Sequence, residues 1–232
     1  AQNYNIPLYQ THVLNSEDTQ IFISNFNQLN GLMNGKIFDQ NIPISFHGNN
    51  LLGSYELDFI GEILLSPRDL IPKSALFELS GDDTFLLKLS INKNDSPVLT
   101  LSSNLNGIEF TSDYSFLRKS KSRIMPTQIS ISNFSKPKIY LVNELVELQL
   151  NSLQDLQGYI SIGQKLPSEF AYLKQAKRLN FYLGLDELTS KMIQNWPLSK
   201  VTPKNTLINK FIFDIQNLEI FSNHYDKVVG IF

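Results

Sequence analysis

Apolar and polar residues alternate along Phe85, Leu87, Leu89 and Ile91, stop at a polar turn over 92–97, and resume at Leu99, Leu101, Ser103 and Leu105. A period of two marks a half-buried strand, so residues 79–110 predict a β-hairpin with one apolar and one polar face. The same alternation recurs from one end of the chain to the other. Candidate strands lie at 8–14, 19–26, 35–38 and 42–46, with turns expected at Asn30-Gly31, Asn34-Gly35 and Gly48-Asn49-Asn50. Over 51–65, Tyr55, Leu57 and Phe59 fall on one face and Glu56, Asp58 and Ile60 on the other. Residues 66–72 read as a helical turn, with Ser66 as N-cap, Pro67 at the first helical position and Pro72 as the stop.

After the hairpin come a short apolar segment at 107–110, a loop through 113–123, and a strand at 127–132 with Ile129 and Ile131 facing together. Strands are predicted at 138–143 and 145–150, paired across Asn143-Glu144, and at 158–163. Residues 168–177 predict a short helix. A second helix is predicted over 186–196, opening on Asp186 and Glu187 and ending before Pro197. Its stripe of Leu188, Met192, Ile193 and Trp196 reads as packing against the sheet. The pattern closes with 210–215 and 218–221, where Phe211, Phe213 and Ile215 share a face. About a dozen strands and two or three short helices define a mainly β protein, built as a sandwich, a barrel or an open curved sheet.

Composition narrows the chemistry. The length of 232 residues fits one large domain or two small ones, with 1–140 and 141–232 as candidate sub-layers of a single segment. A formal charge of −2 and a pI near 5.9 argue against nucleic acid. The one dense basic run, Arg118 to Arg123, reads as a solvated loop. With no cysteine, disulfides and thiolate chemistry are excluded. No apolar run is long enough to span a bilayer as a helix. The start lacks a signal-like segment and the end stops within an apolar run, so the chain is expected to be an internal piece of a longer protein.

The search for a catalytic constellation finds little. His12, His47 and His224 lack metal-ligand spacing and read as surface or strand-end residues. Asp82-Asp83 fits a turn, and Asp186-Glu187 fits a helix N-terminus better than a carboxylate pair for glycoside hydrolysis. Neither a nucleophile elbow nor a phosphate-binding glycine loop is present. The chain is therefore expected not to be an enzyme and to need no cofactor or metal. Its aromatics are mostly Phe, 16 against 9 Tyr and 1 Trp, which suits apolar packing more than sugar-binding platforms.

From residue 51 onward the order of these signals resembles the YhdP family of AsmA-like envelope proteins. The matching elements are the strand before 66–72, Leu79-Ser80-Gly81 opening the strand 85–91, and residues 99–108, similar to a family strand ending Ser-Asp-Leu-x-Gly with Asn104 in place of the acid. Tyr114-Ser115-Phe116-Leu117-Arg118-Lys119 is similar to the family's P-x-P-L-x-K loop without its prolines. Residues 158–163, 183–188 and 212–221 match later family segments in order. The resemblance implies an elongated, strongly curved, antiparallel-rich sheet forming a U-shaped β-groove. It also implies a periplasmic location, an inner-membrane anchor in the rest of the same polypeptide, and phospholipid carried between inner and outer membranes. Lipid-lining candidates are then Phe85, Leu87, Leu89, Ile91, Leu99, Leu101, Leu105, Ile129, Ile131, Phe211, Phe213 and Ile215. The alternatives are a non-catalytic β-sandwich scaffold or interaction module of the envelope and, more remotely, a carbohydrate-binding jelly roll. The feature that separates the first two is whether the apolar faces meet a closed core or an open channel. The oligomeric state is left open.

Overall fold

A computed structural model describes residues 4–9, 12–23, 28–37, 39–51, 54–66, 78–112, 117–152, 155, 157–175, 177–194, 208–221 and 223–232. Among these residues sixteen strands run in the order β1 (Tyr4–Tyr9), β2 (His12–Ile23), β3 (Gln28–Ile37), β4 (Gln40–Leu51), β5 (Ser54–Leu65), β6 (Glu78–Ser80), β7 (Asp83–Asn92) and β8 (Val98–Ser103), then β9 (Glu109–Thr111), β10 (Thr127–Ser132), β11 (Lys138–Val142), β12 (Val146–Ser152), β13 (Gln157–Gly163), β14 (Leu179–Thr189), β15 (Ile208–Ile220) and β16 (Asn223–Ile231). Among the described residues a 3-10 helix, Ser168–Gln175, lies between β13 and β14, and a short α-helix, α1 (Ser190–Gln194), follows β14. Fourteen strands form one sheet in chain order, from β1 at one edge to β16 at the other; β6 and β9 make a separate pair. The protein is mainly β, as the alternation predicts.

Pairing is antiparallel except at two places the sequence did not announce. Strands β13–β14 and β14–β15 are parallel. Parallel neighbours need crossover connections, which lay chain across the sheet and bury both faces of the strands they join. Strand β14 shows this directly, since Tyr182, Leu183, Gly184 and Leu185 are all buried in succession. One face packs Tyr159, Tyr182 and Ile212 under Leu173 of the 3-10 helix. The other packs Leu183, Leu185, Leu188 and Ile215, with Met192 of α1 against them.

Several sequence expectations need correction. The helix predicted over 186–196 is short: β14 continues through Thr189, and α1 holds only Ser190–Gln194. The ladder to β15, which continues past the end of the β13 ladder at Gly184, fixes Leu188 opposite Leu218, and this tertiary pairing overrides the acidic start that looked like a helix N-terminus. Asn30-Gly31, Asn34-Gly35 and Gly48-Asn49 lie inside β3 and β4, not at turns. There Gly31 sits opposite Phe46, Gly35 opposite Ile42 and Gly48 opposite Leu57, so each glycine leaves room for a large neighbour. The segments 210–215 and 218–221 are one strand, β15. The helical turn predicted at 66–72 and the stripe residue Trp196 lie outside the described residues, apart from Ser66.

The Leu-Ser-Gly and Leu-Asn-Gly motifs have a common physical basis. Gly81 and Gly107 take φ of +92° and +104°, and a Cβ on Gly81 would stand 2.0 Å from the Gly107 carbonyl oxygen. The two turns press backbone to backbone where β6 and β9 meet, and only glycine permits that approach.

Candidate functional site

The register of the large sheet converts local alternation into long apolar rows. Met33 lies opposite Ile44, Ile44 opposite Gly61, Gly61 opposite Leu87, and Leu87 opposite Leu101. The row continues through Ile129, Leu141, Leu148, Ile160, Phe181 and Phe211. Phe211 then exchanges both backbone hydrogen bonds with Phe232, at 3.0 and 2.9 Å, extending the row to the β16 edge. A second row runs Phe46, Phe59, Leu89, Leu99, Ile131, Ile139 and Leu150. Side chains in register share a face, so nearly all the lining candidates fall on one side of one sheet. The exception in kind is Leu105, which sits in the loop after β8 with φ of +50°.

Sharing a face does not make these residues equivalent. Phe85, Leu87, Leu89, Leu99 and Leu101 belong to a sealed core with Met33, Ile42, Ile44, Phe46, Phe59, Ile63 and Leu65. Leu105, Ile108 and Met125, from the long connection between β8 and β10, complete that core. Ile91, Ile129 and Ile131 are half-buried at its margin. Phe211, Phe213 and Ile215 belong to the separate β14–β15 core, where Phe181 and Phe211 stack with centroids 5.2 Å apart. Phe232 stacks on Phe213 at 5.6 Å yet remains 76 % exposed.

Between the two cores lies a strip that the sequence identified as strands but not as lining. Ile139, Leu141, Val146, Leu148, Leu150 and Ile160 are all half-buried. Among the described residues, none of the six belongs to either core. Their signal was present in the sequence, since Val146, Leu148 and Leu150 alternate with Glu147 and Gln149. What the sequence lacked was the register that sets Leu141, Leu148 and Ile160 side by side.

The basic run 118–123 is not simply a solvated loop. Lys119 is 2 % exposed, and its ammonium donates to the carbonyls of Leu105 at 2.6 Å, Ile108 at 2.7 Å and Ser120 at 3.1 Å. Burial pushes its pKa below the usual lysine value. Its backbone also bridges Phe110, so this one residue fastens the connection that caps the sealed core. Arg118 and Arg123 do face solvent, and Arg123 pairs with Glu144 at 2.7 Å.

Across β7, β8 and β10 the opposite face of the sheet is mostly polar, with Thr84, Lys88, Ser90, Thr100, Ser102, Gln128 and Ser130 along it. A depression of about 590 Å³ there is lined by Glu62, Thr84, Leu86, Ser102, Gln128 and Val142 among others, so it does not coincide with the apolar rows. Near the crossover, Lys174 pairs with Glu147 at 2.8 Å and lies over the Tyr159 ring. Burial, the largest single influence, would raise the Glu147 carboxyl, but the Lys174 ammonium and the phenols of Tyr159 and Tyr140 together outweigh it and hold the pKa low. Burial pushes Tyr159 and Tyr182 well above the usual phenol value, with the Glu147 and Asp214 carboxylates adding to it. The Tyr159 hydroxyl has no hydrogen-bond partner of good geometry, whereas Tyr182 donates to Asp214 at 3.4 Å.

These phenols give a pH dependence with a definite sign. Above the ordinary tyrosine value of 10.0 the unfolded chain loses phenol protons that the folded chain keeps, so stability falls as pH rises. Lys119 acts in the opposite sense, adding stability as pH approaches 10.5, where the unfolded lysine deprotonates. Urea unfolding is expected to shift to lower midpoint above about pH 10, and the Tyr159→Phe, Tyr182→Phe double variant to flatten that decline. Identical slopes for the two proteins would contradict the assignment.

Among the described residues no group of three or more His, Asp or Glu side chains is placed to hold a metal ion. His47 instead shares a 2.7 Å hydrogen bond with Asn30. No described helix is long and apolar enough to cross a membrane. Comparison of the chain with protein-family models, curated proteins and solved structures gives no match.

Proposed function

We propose that this chain is a non-enzymatic, lipid-binding segment of an envelope β-groove. It would hold phospholipid acyl chains passively in the periplasm of a protein anchored to the inner membrane elsewhere in its polypeptide. The observation that carries this reading is the apolar row from Met33 to Phe211, whose middle part, at Leu141, Leu148 and Ile160, is only half-buried. Acyl chains make no directional demands, and each methylene shielded from water contributes about 0.8 kcal/mol. A uniform lining of Leu, Ile and Phe is therefore sufficient for binding. The family resemblance and the amphipathic, open-edged sheet support the same reading, in which the sheet would curve into a U-shaped groove.

The scaffold alternative has its own support, because the β3–β8 face is sealed as an ordinary core is. Lipid extraction and native mass spectrometry of the purified chain distinguish the two. Bound phospholipid is the expected result. A lipid-free chain that also fails to crosslink to lipid from a photoreactive residue at position 148 would leave the scaffold reading in its place.

A further inference from the structure

Along one apolar row, burial changes between two adjacent strands. Leu87 and Leu101 are 4 % and 7 % exposed. Ile129, directly opposite Leu101, is half-buried, and so are Leu141 and Leu148 beyond it. Residue type, face and register are the same on both sides of that step, so the sheet itself does not cause it. The cause is a cover. Among the described residues, the buried members of the sealed core that lie outside the large sheet are Leu105, Ile108 and Met125. All three come from the connection between β8 and β10.

Resting on the lipid-binding reading, we propose that this connection, described at 104–112 and 117–126, is a built-in occupant of the β7–β8 part of the apolar face. Leu105, Ile108 and Met125 hold there the place that acyl chains take on Leu141, Leu148 and Ile160. Bound lipid is thereby stopped at β10.

Two properties suit the connection to this role. Its shape is held by polar bonds within itself. The Lys119 ammonium donates to the Leu105 and Ile108 carbonyls, and Phe110 and Lys119 exchange backbone hydrogen bonds at 2.9 and 3.1 Å. Gly107 donates its N–H to Lys121 at 3.0 Å, and Met125 donates to Asn104 at 2.8 Å. Toward the rows, by contrast, it presents the hydrocarbon of Leu105, Ile108 and Met125. Contact of that kind has no directional demand and is driven by removing apolar surface from water, so an acyl chain supplies an equivalent. The second property is the tether. A segment joined to β8 and β10 meets this face at a high effective concentration and excludes a free ligand of similar surface. Arg123 strengthens the tether by pairing with Glu144, at 2.7 Å, in the turn that follows β11.

The test places a diazirine side chain close to leucine in size at position 101 or 148 of the full chain, which is irradiated with phosphatidylcholine vesicles. In the parent, lipid labelling is expected at 148 and not at 101. In the Leu105→Ala, Ile108→Ala double variant, and in the milder Met125→Ala, labelling at 101 is expected to rise at least about fivefold, with labelling at 148 within about twofold of the parent. Labelling at 101 as strong as at 148 in the parent overturns the stop. So does a position 101 that stays unlabelled in variants still labelled at 148, because removing the covering side chains would then have opened nothing. Loss of the label at 148 in both variants shows that the connection helps to fold the strip, and overturns its role as an occupant. No labelling from either position in the parent overturns the lipid-binding reading itself, and this proposal with it.

Discussion

Phe85→Ala is expected to lower the unfolding free energy by about 3–5 kcal/mol, the range for removing a fully packed aromatic ring. Phe85 is 2 % exposed and lies among Ile63, Leu65, Leu87 and Leu105, so truncation leaves a cavity its neighbours cannot fill. Leu148→Ala, on the same face of the same sheet, is expected to cost only about 1 kcal/mol, because its side chain is half-buried and already meets solvent. Urea denaturation of the two variants beside the parent measures the difference. If Phe85→Ala cost no more than Leu148→Ala, the division into a sealed region and an open strip would be wrong. Both positions carry apolar residues at alternating sites, so this experiment asks a question that periodicity leaves undecided.

Lys119→Met is expected to be the most damaging change to a charged residue, at about 2–4 kcal/mol. The methionine preserves the length of the side chain but takes the ammonium donor from the carbonyls of Leu105, Ile108 and Ser120, of which Leu105 and Ser120 keep the amides of Ile108 and Arg123. Two effects compete. The buried ammonium has a desolvation cost that the substitution relieves, while the abandoned carbonyls acquire one. Three charge-assisted contacts converging on one group favour the second effect. The damage should be local as well as global. Hydrogen exchange at the amides of Gly107, Phe110 and Met125, which bond to Lys121, Lys119 and Asn104, should accelerate more than at the strand β12 amides. A variant as stable as the parent would show that desolvation cancels the hydrogen bonds.

Much of the architecture is legible in the sequence because it is local. Strand β10 occupies the predicted 127–132, and Asn143 stands at the predicted β11–β12 turn, where its side chain accepts from the amides of Leu145 and Val146. The departures share a cause: each is decided by residues distant in the chain. Gly31 and Gly48 look like turn formers until Phe46 and Leu57 are placed opposite them. Asp186 and Glu187 look like a helix start until β15 pairs with β14. Lys119 belongs to a run of cations whose only distinction is that three carbonyls converge on one of them, and a carbonyl leaves no trace in a sequence. The lining candidates suffered in the same way. Phe85 and Leu148 obey one rule of alternation, and the packing of Leu105, Ile108 and Met125 into the core of the first makes their environments differ.

The row from Met33 to Phe211 also has a length. It crosses ten inter-strand spacings, which at about 4.8 Å each amounts to about 48 Å, more than the roughly 30 Å hydrocarbon thickness of a bilayer. The strip on β11–β13 takes up two of those spacings, about 10 Å, or the width of a lipid rather than the length of a route. Distance along this face is therefore counted in strands, with each added hairpin extending it by about 10 Å while the register keeps the same side inward.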